Sequence, residues 1–116
     1  GIIIVLLTST IVNGPPIRMS SYVTAKSGLL GLMRSVAKEV EQFNIRVLGI
    51  SPSFVETELI KAFPSKLLEI EKEKQPEMTF IQPEDIAGMV MKLVADCKRY
   101  PSGENTVLNT RRDVLK

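Results

Sequence analysis

The chain of 116 residues contains no histidine and a single cysteine, Cys97. The absence of histidine excludes Ser-His-Asp and Cys-His catalysis and removes the commonest metal ligand, so any proton transfer must use other side chains and no metal site is expected. A lone cysteine cannot form a disulfide within the chain, which favours a cytoplasmic location. We therefore expect Cys97 to be an ordinary core thiol.

The sequence also lacks a long hydrophobic run and a cluster of basic residues. Its longest apolar run, residues 2–7, is too short to span a bilayer and lacks the basic flank of a signal peptide, so no membrane partner is predicted. Fifteen basic and thirteen acidic side chains give a net charge of +2, and the basic residues are scattered, which argues against a nucleic-acid partner. A hydrophobic fraction of 44% favours a soluble globular domain.

The remaining sequence alternates between strand and helix patterns. Residues 2–7 form a continuous, β-branched apolar run, which is typical of a strand buried on both faces in a parallel sheet. Residues 45–50 and 105–109 are predicted as the second and third strands. A long helix between the first two strands makes a right-handed βαβ unit, so the fold class is α/β with three parallel strands and flanking helices.

Helix signals are found between these strands. Ser20 or Ser21 is expected to cap a helix that runs to about residue 43. We expect residues 58–75 to form one or two short helices, with Leu67, Leu68 and Ile70 facing inward. A further helix is expected at residues 83–96, which begin with a proline. Met78, Met89 and Met91 are interpreted as packing residues. Residues 8–16 and 51–57 are predicted loops, the second because Pro52 cannot continue a sheet ladder.

Tyr22 and Lys26 interrupt the apolar face of the first helix. They lie one turn apart on the same face as six apolar residues: Leu29, Leu30, Met33, Val36, Ala37 and Val40. Because burial of an unpaired ammonium is costly, the lysine must reach water or be held by partners. Such a departure from local patterning indicates a candidate functional site.

Ser9 follows the first strand, thirteen residues before Tyr22. A tyrosine can protonate a carbonyl oxygen if its pKa is brought down from about 10, which an adjacent ammonium does by stabilising the phenolate, and a serine hydroxyl could hold the same oxygen. Taken singly, a Tyr-x-x-x-Lys pair or a turn serine is more often structural. The combination of Ser9, Tyr22 and Lys26 with a proline loop after the next strand is more specific.

These residues together resemble the short-chain dehydrogenase/reductase family. The match runs through Ser9, the run Tyr22-Val23-Thr24-Ala25-Lys26-Ser27-Gly28, the strand at residues 45–50 and the loop at residues 52–57. The resemblance implies a Rossmann-type fold in which residues 1–116 form the C-terminal part of a doubly wound parallel sheet, without the N-terminal coenzyme-binding half. Within the family, the sequence most resembles the 3-oxoacyl carrier-protein reductase type.

The resemblance also implies a reaction and its residues. Hydride would pass between NAD or NADP and a ketone or secondary alcohol, a small-molecule carbonyl substrate. Tyr22 would act as general acid or base, Lys26 would lower its pKa and bind the nicotinamide ribose, and Ser9 would orient the carbonyl. Pro52, Val55 through its backbone, and Thr57 near the pyrophosphate would complete the cofactor-binding residues.

The sequence departs from the family pattern at several points. The glycine-rich coenzyme turn and the relay asparagine are absent, Pro52-Ser53 replaces proline-glycine, and residues 105–110 lack a glycine pair. We therefore expect the isolated chain to be inactive and to hold catalytic residues without most of the cofactor site. The alternative is a non-catalytic assembly module or inactive relic. Either reading predicts a homo-oligomer formed by helix packing or by the exposed edge of the first strand.

Overall fold

The computed structural model describes residues 1–15 and 17–115. Three parallel strands form one sheet in the order β1-β2-β3: β1 (Ile2–Leu6), β2 (Arg46–Pro52) and β3 (Asn105–Leu108). Ile3 of β1 pairs with Val47, and Ile50 of β2 pairs with Thr106. The helices are α1 (Thr10–Asn13), α2 (Ser20–Val40), α3 (Ser65–Glu73), α4 (Pro83–Ala95) and α5 (Arg111–Leu115). Four 3₁₀ segments also occur: Glu41–Phe43, Glu58–Ala62, Pro76–Met78 and Cys97–Arg99.

Helices cover both faces of the sheet, as expected of a doubly wound α/β fold. On one face, Val47 of β2 packs with Met33 and Ala37 of α2. On the other, a second cluster joins β2 and β3 to α4 and α5, and its buried members are Leu48, Ile50, Ile81, Met89, Leu93, Leu108 and Val114. Residues 47–52 are all buried because β2 is the central strand of the described sheet. The predicted α/β class with three parallel strands is confirmed.

Strand β1 differs from its sequence expectation. Ile3 and Leu6 are 44% and 49% exposed, so the prediction of a strand buried on both faces is wrong for the part of the chain that the structure describes. β1 pairs with β2 on one side only, and no other described strand pairs with it. The continuous apolar pattern does not distinguish this edge strand from the central strand β2.

Pro52 is the last residue of β2, so the prediction that the strand ends before it is wrong. Its carbonyl accepts a hydrogen bond from the Ser9 N–H at 2.9 Å, and the Ser53 N–H donates to the Leu108 carbonyl at 2.8 Å. The ladder tolerates a proline here because only one donor is lost, at the end of the strand.

Helix α2 places the predicted face inward, since Met33 and Ala37 are buried and the other six positions are half-buried. Its N-cap position is Met19 and no side chain caps it, so the expected Ser20 or Ser21 cap is wrong. Helix α4 begins at Pro83 as predicted, with a capping box between Gln82 and Asp85. No helix among the described residues is long and apolar enough to cross a membrane.

Three apolar residues predicted to pack inward are exposed instead. Ile70 is 47%, Met78 57% and Met91 67% exposed, whereas Met89 is buried as predicted. Cys97 is only half-buried and makes no disulfide. The short helices α1, within a predicted loop, and α5, after β3, were not predicted because they are too brief to show a periodic pattern.

Candidate functional site

Lys26 is held at the carboxyl end of β1 by the backbone. Its ammonium donates a hydrogen bond to the Leu6 carbonyl at 3.1 Å. The next N–H, that of Leu7, donates to Ile50 of β2 at 2.7 Å, and alternation along a strand therefore directs the Leu6 carbonyl to the open edge of the sheet. The side chain of Lys26 is half-buried. The ammonium in the apolar face of α2 is thus satisfied by a partner, as its position requires.

Tyr22 and Lys26 line the same cavity, which we call the apolar cavity. Its volume is about 340 Å³, and Pro52, Val55 and Thr57 form part of its wall. The rest of the wall is mostly apolar: Leu6, Leu7, Thr8, Thr10, Met19, Ser53, Phe54, Leu59, Ile60, Phe63, Pro83 and Ile86. The Tyr22 hydroxyl makes no hydrogen bond with any residue that the structure describes. Five of the six residues singled out from the sequence therefore meet at one cavity.

The backbone of Val55 is available to a ligand. Val55 forms an isolated parallel bridge with Ile81, in which the Glu56 N–H donates to the Ile81 carbonyl at 2.9 Å. In a parallel bridge the hydrogen bonds come from the flanking residues, so the N–H and C=O of Val55 itself point away from Ile81. Neither group has a backbone partner within residues 1–15 and 17–115.

Ser9, the sixth residue, lines a neighbouring cavity that we call the polar cavity. It has a volume of about 290 Å³ and is lined by Ser9, Thr10, Asn13, Gly14, Ser53, Phe54, Glu71, Lys74, Gln75, Asn109 and Thr110. Ser9 is 5% exposed, and its carbonyl accepts from the N–H groups of Val12 and Asn13 at the start of α1. Thr10, Ser53 and Phe54 line both cavities, so the cavities adjoin, but Ser9 does not line the cavity of Tyr22 and Lys26.

Sequence reasoning missed the aromatic wall and the two threonine hydroxyls of the apolar cavity. Phe54 and Phe63 line this cavity, and their rings pack edge to face with centroids 5.4 Å apart. The Phe80 ring lies behind this wall, tilted against Phe54 at 5.9 Å. Thr8 and Thr10 share a hydrogen bond of 3.2 Å between their side chains. The only available sequence signal was an aromatic residue inside a polar loop, because Phe63 and Phe80 belong to separate segments that only the tertiary fold brings to Phe54.

Comparison with known proteins identifies relatives of this chain. A family model described as Enoyl-(Acyl carrier protein) reductase matches residues 1–110. The chain is 33% identical to the 3-oxoacyl-(acyl-carrier-protein) reductase FabG of Aquifex aeolicus over 84 residues, covering 72% of the chain and 34% of the relative. It is 31% identical to FabG of Rickettsia bellii over 107 residues, covering 91% of the chain and 44% of the relative.

A solved structure is similar to this chain in both fold and sequence. The chain is similar to a 4-hydroxyisoleucine dehydrogenase complexed with NADH, with a TM-score of 0.74 and 31% identity, over 93% of this chain and 44% of that chain. The chain thus spans less than half the length of these proteins. The family match, the FabG relatives and the shared fold together show that the chain belongs to the short-chain dehydrogenase/reductase family.

Proposed function

We propose that the protein is an NAD(P)-dependent oxidoreductase that transfers hydride between the coenzyme and a ketone or secondary alcohol. The observation that carries this proposal is the meeting of Tyr22 and Lys26 at one cavity with Pro52, Val55 and Thr57. It is supported by the similarity to FabG proteins and to a dehydrogenase complexed with NADH. Residues 1–116 would form the C-terminal portion of a single Rossmann-fold domain.

Tyr22 is the proposed general acid and base. Its hydroxyl has no partner among the described residues and is therefore available to donate a proton to a carbonyl oxygen as hydride arrives. The same oxygen, as phenolate, would accept a proton when an alcohol is oxidised. Lys26, one turn further along α2, would stabilise that phenolate by its positive charge. Ser9, in the adjoining polar cavity, would hold the carbonyl oxygen and share its developing charge.

The residues present fit the nicotinamide-ribose end of the coenzyme. The apolar cavity has the volume typical of small-molecule sites. The Lys26 ammonium has two donors besides the one bound to Leu6, and these suit ribose hydroxyls, while the unpaired N–H and C=O of Val55 suit a carboxamide. Thr57 offers a hydroxyl to the pyrophosphate. NAD(P)H supplies the hydride when bound.

Substitution of Tyr22 tests the proposal. The protein, expressed as its gene encodes it, should oxidise NADH or NADPH in the presence of a ketone, measured by loss of absorbance. Tyr22→Phe should lower kcat/KM by about 100-fold or more, since general acid catalysis contributes roughly that much. Tyr100→Phe removes the same hydroxyl from the other tyrosine of the chain and should leave turnover unchanged. Near-normal turnover by Tyr22→Phe would refute the catalytic assignment.

The second candidate function is a non-catalytic assembly module. Exposed positions on α2 favour it: Leu32 is 58% exposed, and Ala25 and Gly28 are also exposed. Such a face, or the open edge of β1, would form a homo-oligomer whether or not the protein is an enzyme. Light scattering at micromolar concentration should show an oligomer that Leu32→Glu dissociates. A monomeric parent protein would contradict this, and an oligomer without turnover of any ketone would favour the module.

We place the protein in the cytoplasm, which suits the unpaired Cys97 thiol.

A further inference from the structure

Gln75, which lines the polar cavity, has a buried acceptor without a donor among the described residues. Gln75 is only 9% exposed, and its Nε2 donates to the Asn109 carbonyl at 3.3 Å. Its Oε1 is buried and has no hydrogen-bond partner among the described residues. Exchanging the amide nitrogen and oxygen would set two oxygens against each other, so the orientation is determined by Asn109. An acceptor left unsatisfied in this way destabilises the folded protein.

Several polar groups around Gln75 are already paired with one another. The Asn109 carbonyl also accepts from the Ser53 hydroxyl at 2.7 Å, and its Oδ1 accepts from the Asn13 amide. The Glu71 carboxylate binds the Lys74 ammonium at 3.1 Å, which neutralises the charge at this wall. A ligand that binds beside Gln75 therefore needs no charge. It needs a hydrogen-bond donor directed at Gln75.

The position of the polar cavity relates it to the proposed reaction. The residues proposed to contact the coenzyme, Pro52, Val55 and Thr57, line the apolar cavity, whereas Ser9 lines the polar one. At about 290 Å³ the polar cavity is several times larger than the volume that one molecule occupies in liquid water, roughly 30 Å³. It thus has room for several non-hydrogen atoms of a carbonyl compound beyond the reacting carbon.

We propose that Gln75 is a specificity-determining residue whose Oε1 accepts a hydrogen bond from a neutral donor, a hydroxyl or amide N–H, on the carbonyl substrate. This inference rests on the proposed oxidoreductase function. It gives a role to a buried amide at a position where an apolar side chain would leave no acceptor unpaired. Sites that hydrogen-bond a substrate group discriminate strongly against analogues that lack it, because their own polar group is then left unpaired.

A pair of matched ketones tests this role. 4-Hydroxy-2-butanone and 2-pentanone differ by a hydroxyl in place of a methyl group. The parent protein should prefer the hydroxyketone by about tenfold or more in kcat/KM. Gln75→Met keeps the length of the side chain and removes both polar atoms, so the preference should fall to near unity with little change for 2-pentanone. Gln42→Met, at an exposed position, should keep the preference.

Stability provides a readout that does not depend on turnover. Because Ser53 still donates to the Asn109 carbonyl, Gln75→Met should unfold at the same temperature as the parent protein or higher. An unchanged hydroxyketone preference in folded Gln75→Met, or equal turnover of both ketones by the parent, would overturn the role of Gln75 and leave the oxidoreductase function intact. Failure of the parent to turn over any ketone would instead overturn the proposed function, and this inference with it.

Discussion

Helix α2 packs closely against Gly49 of β2, and Gly49→Ala tests this packing. A Cβ placed there would lie 2.7 Å from the Met33 sulfur, 3.1 Å from the Asn105 Oδ1 and 3.2 Å from the Leu7 Cδ1. Met33 is 2% exposed, and Asn105 Oδ1 accepts a hydrogen bond from the Ser51 hydroxyl at 2.7 Å. The added methyl group is therefore confined on three sides.

The expected cost follows from these contacts. Overpacking of a filled core costs about 1–3 kcal/mol. The Gly-to-Ala change also stabilises the protein by about 0.4–1 kcal/mol, because alanine restricts the unfolded chain. Gly49 does not have a positive φ, so alanine can adopt its backbone conformation. These ranges differ by about 0 to 2.6 kcal/mol, and the 2.7 Å approach to the buried Met33 sulfur favours a net loss of about 1–2 kcal/mol in the free energy of unfolding. Displacement of α2 would also weaken the hydrogen bond between Lys26 and Leu6, which joins α2 to β1 at the candidate site.

The assay is equilibrium unfolding in urea, with the slope m checked for constancy. Gly88→Ala in α4 is the matched control, since a Cβ there meets nothing within 4 Å, and it should stabilise the protein by about 0.5–1 kcal/mol. Combining Gly49→Ala with Met33→Ala should cost at least about 0.5 kcal/mol less than the sum of the single changes, because the second removes the clashing sulfur. A stability loss below about 0.3 kcal/mol for Gly49→Ala, with additive behaviour in the double variant, would refute the close approach.

Two further predictions concern a helix cap and the site lysine. Asp85→Ala should lower the free energy of unfolding by about 1 kcal/mol or more, because the Asp85 carboxylate accepts from the Gln82 N–H at 2.8 Å and also binds Arg111 at 2.9 Å. Arg111→Gln removes only the ion pair and Glu84→Ala only an exposed charge in the same turn, so each should cost less; an Asp85→Ala effect no larger than that of Arg111→Gln would contradict the cap. Lys26→Gln should reduce ketone-dependent NAD(P)H oxidation by at least about tenfold, since a neutral amide cannot stabilise a phenolate. Lys38→Gln, at an exposed position near the end of α2, should leave the rate unchanged, and similar rates in both variants would argue against the role of Lys26.

Much of the fold was predictable because it follows from local pattern. The three strands, the long helix α2 and the proline start of α4 each carry a hydrophobic period or a capping signal within a few residues. Errors occurred where tertiary context overrides local preference. β1 has the apolar pattern of a central strand but is an edge strand in the described chain, and Pro52 ends β2 because its missing donor lies at the last rung of the ladder.

The sequence alone determined the fold class, the family and the side-by-side placement of Tyr22 and Lys26, because helical spacing depends only on positions along the chain. Tertiary structure decided which residues share a cavity. It held the Lys26 ammonium on the Leu6 carbonyl, separated Ser9 into the polar cavity, and left the Gln75 amide oxygen buried without a donor. These features depend on contacts between distant segments, such as Lys26 with Leu6, Gln75 with Asn109 and Ser9 with Pro52, and no local pattern encodes them.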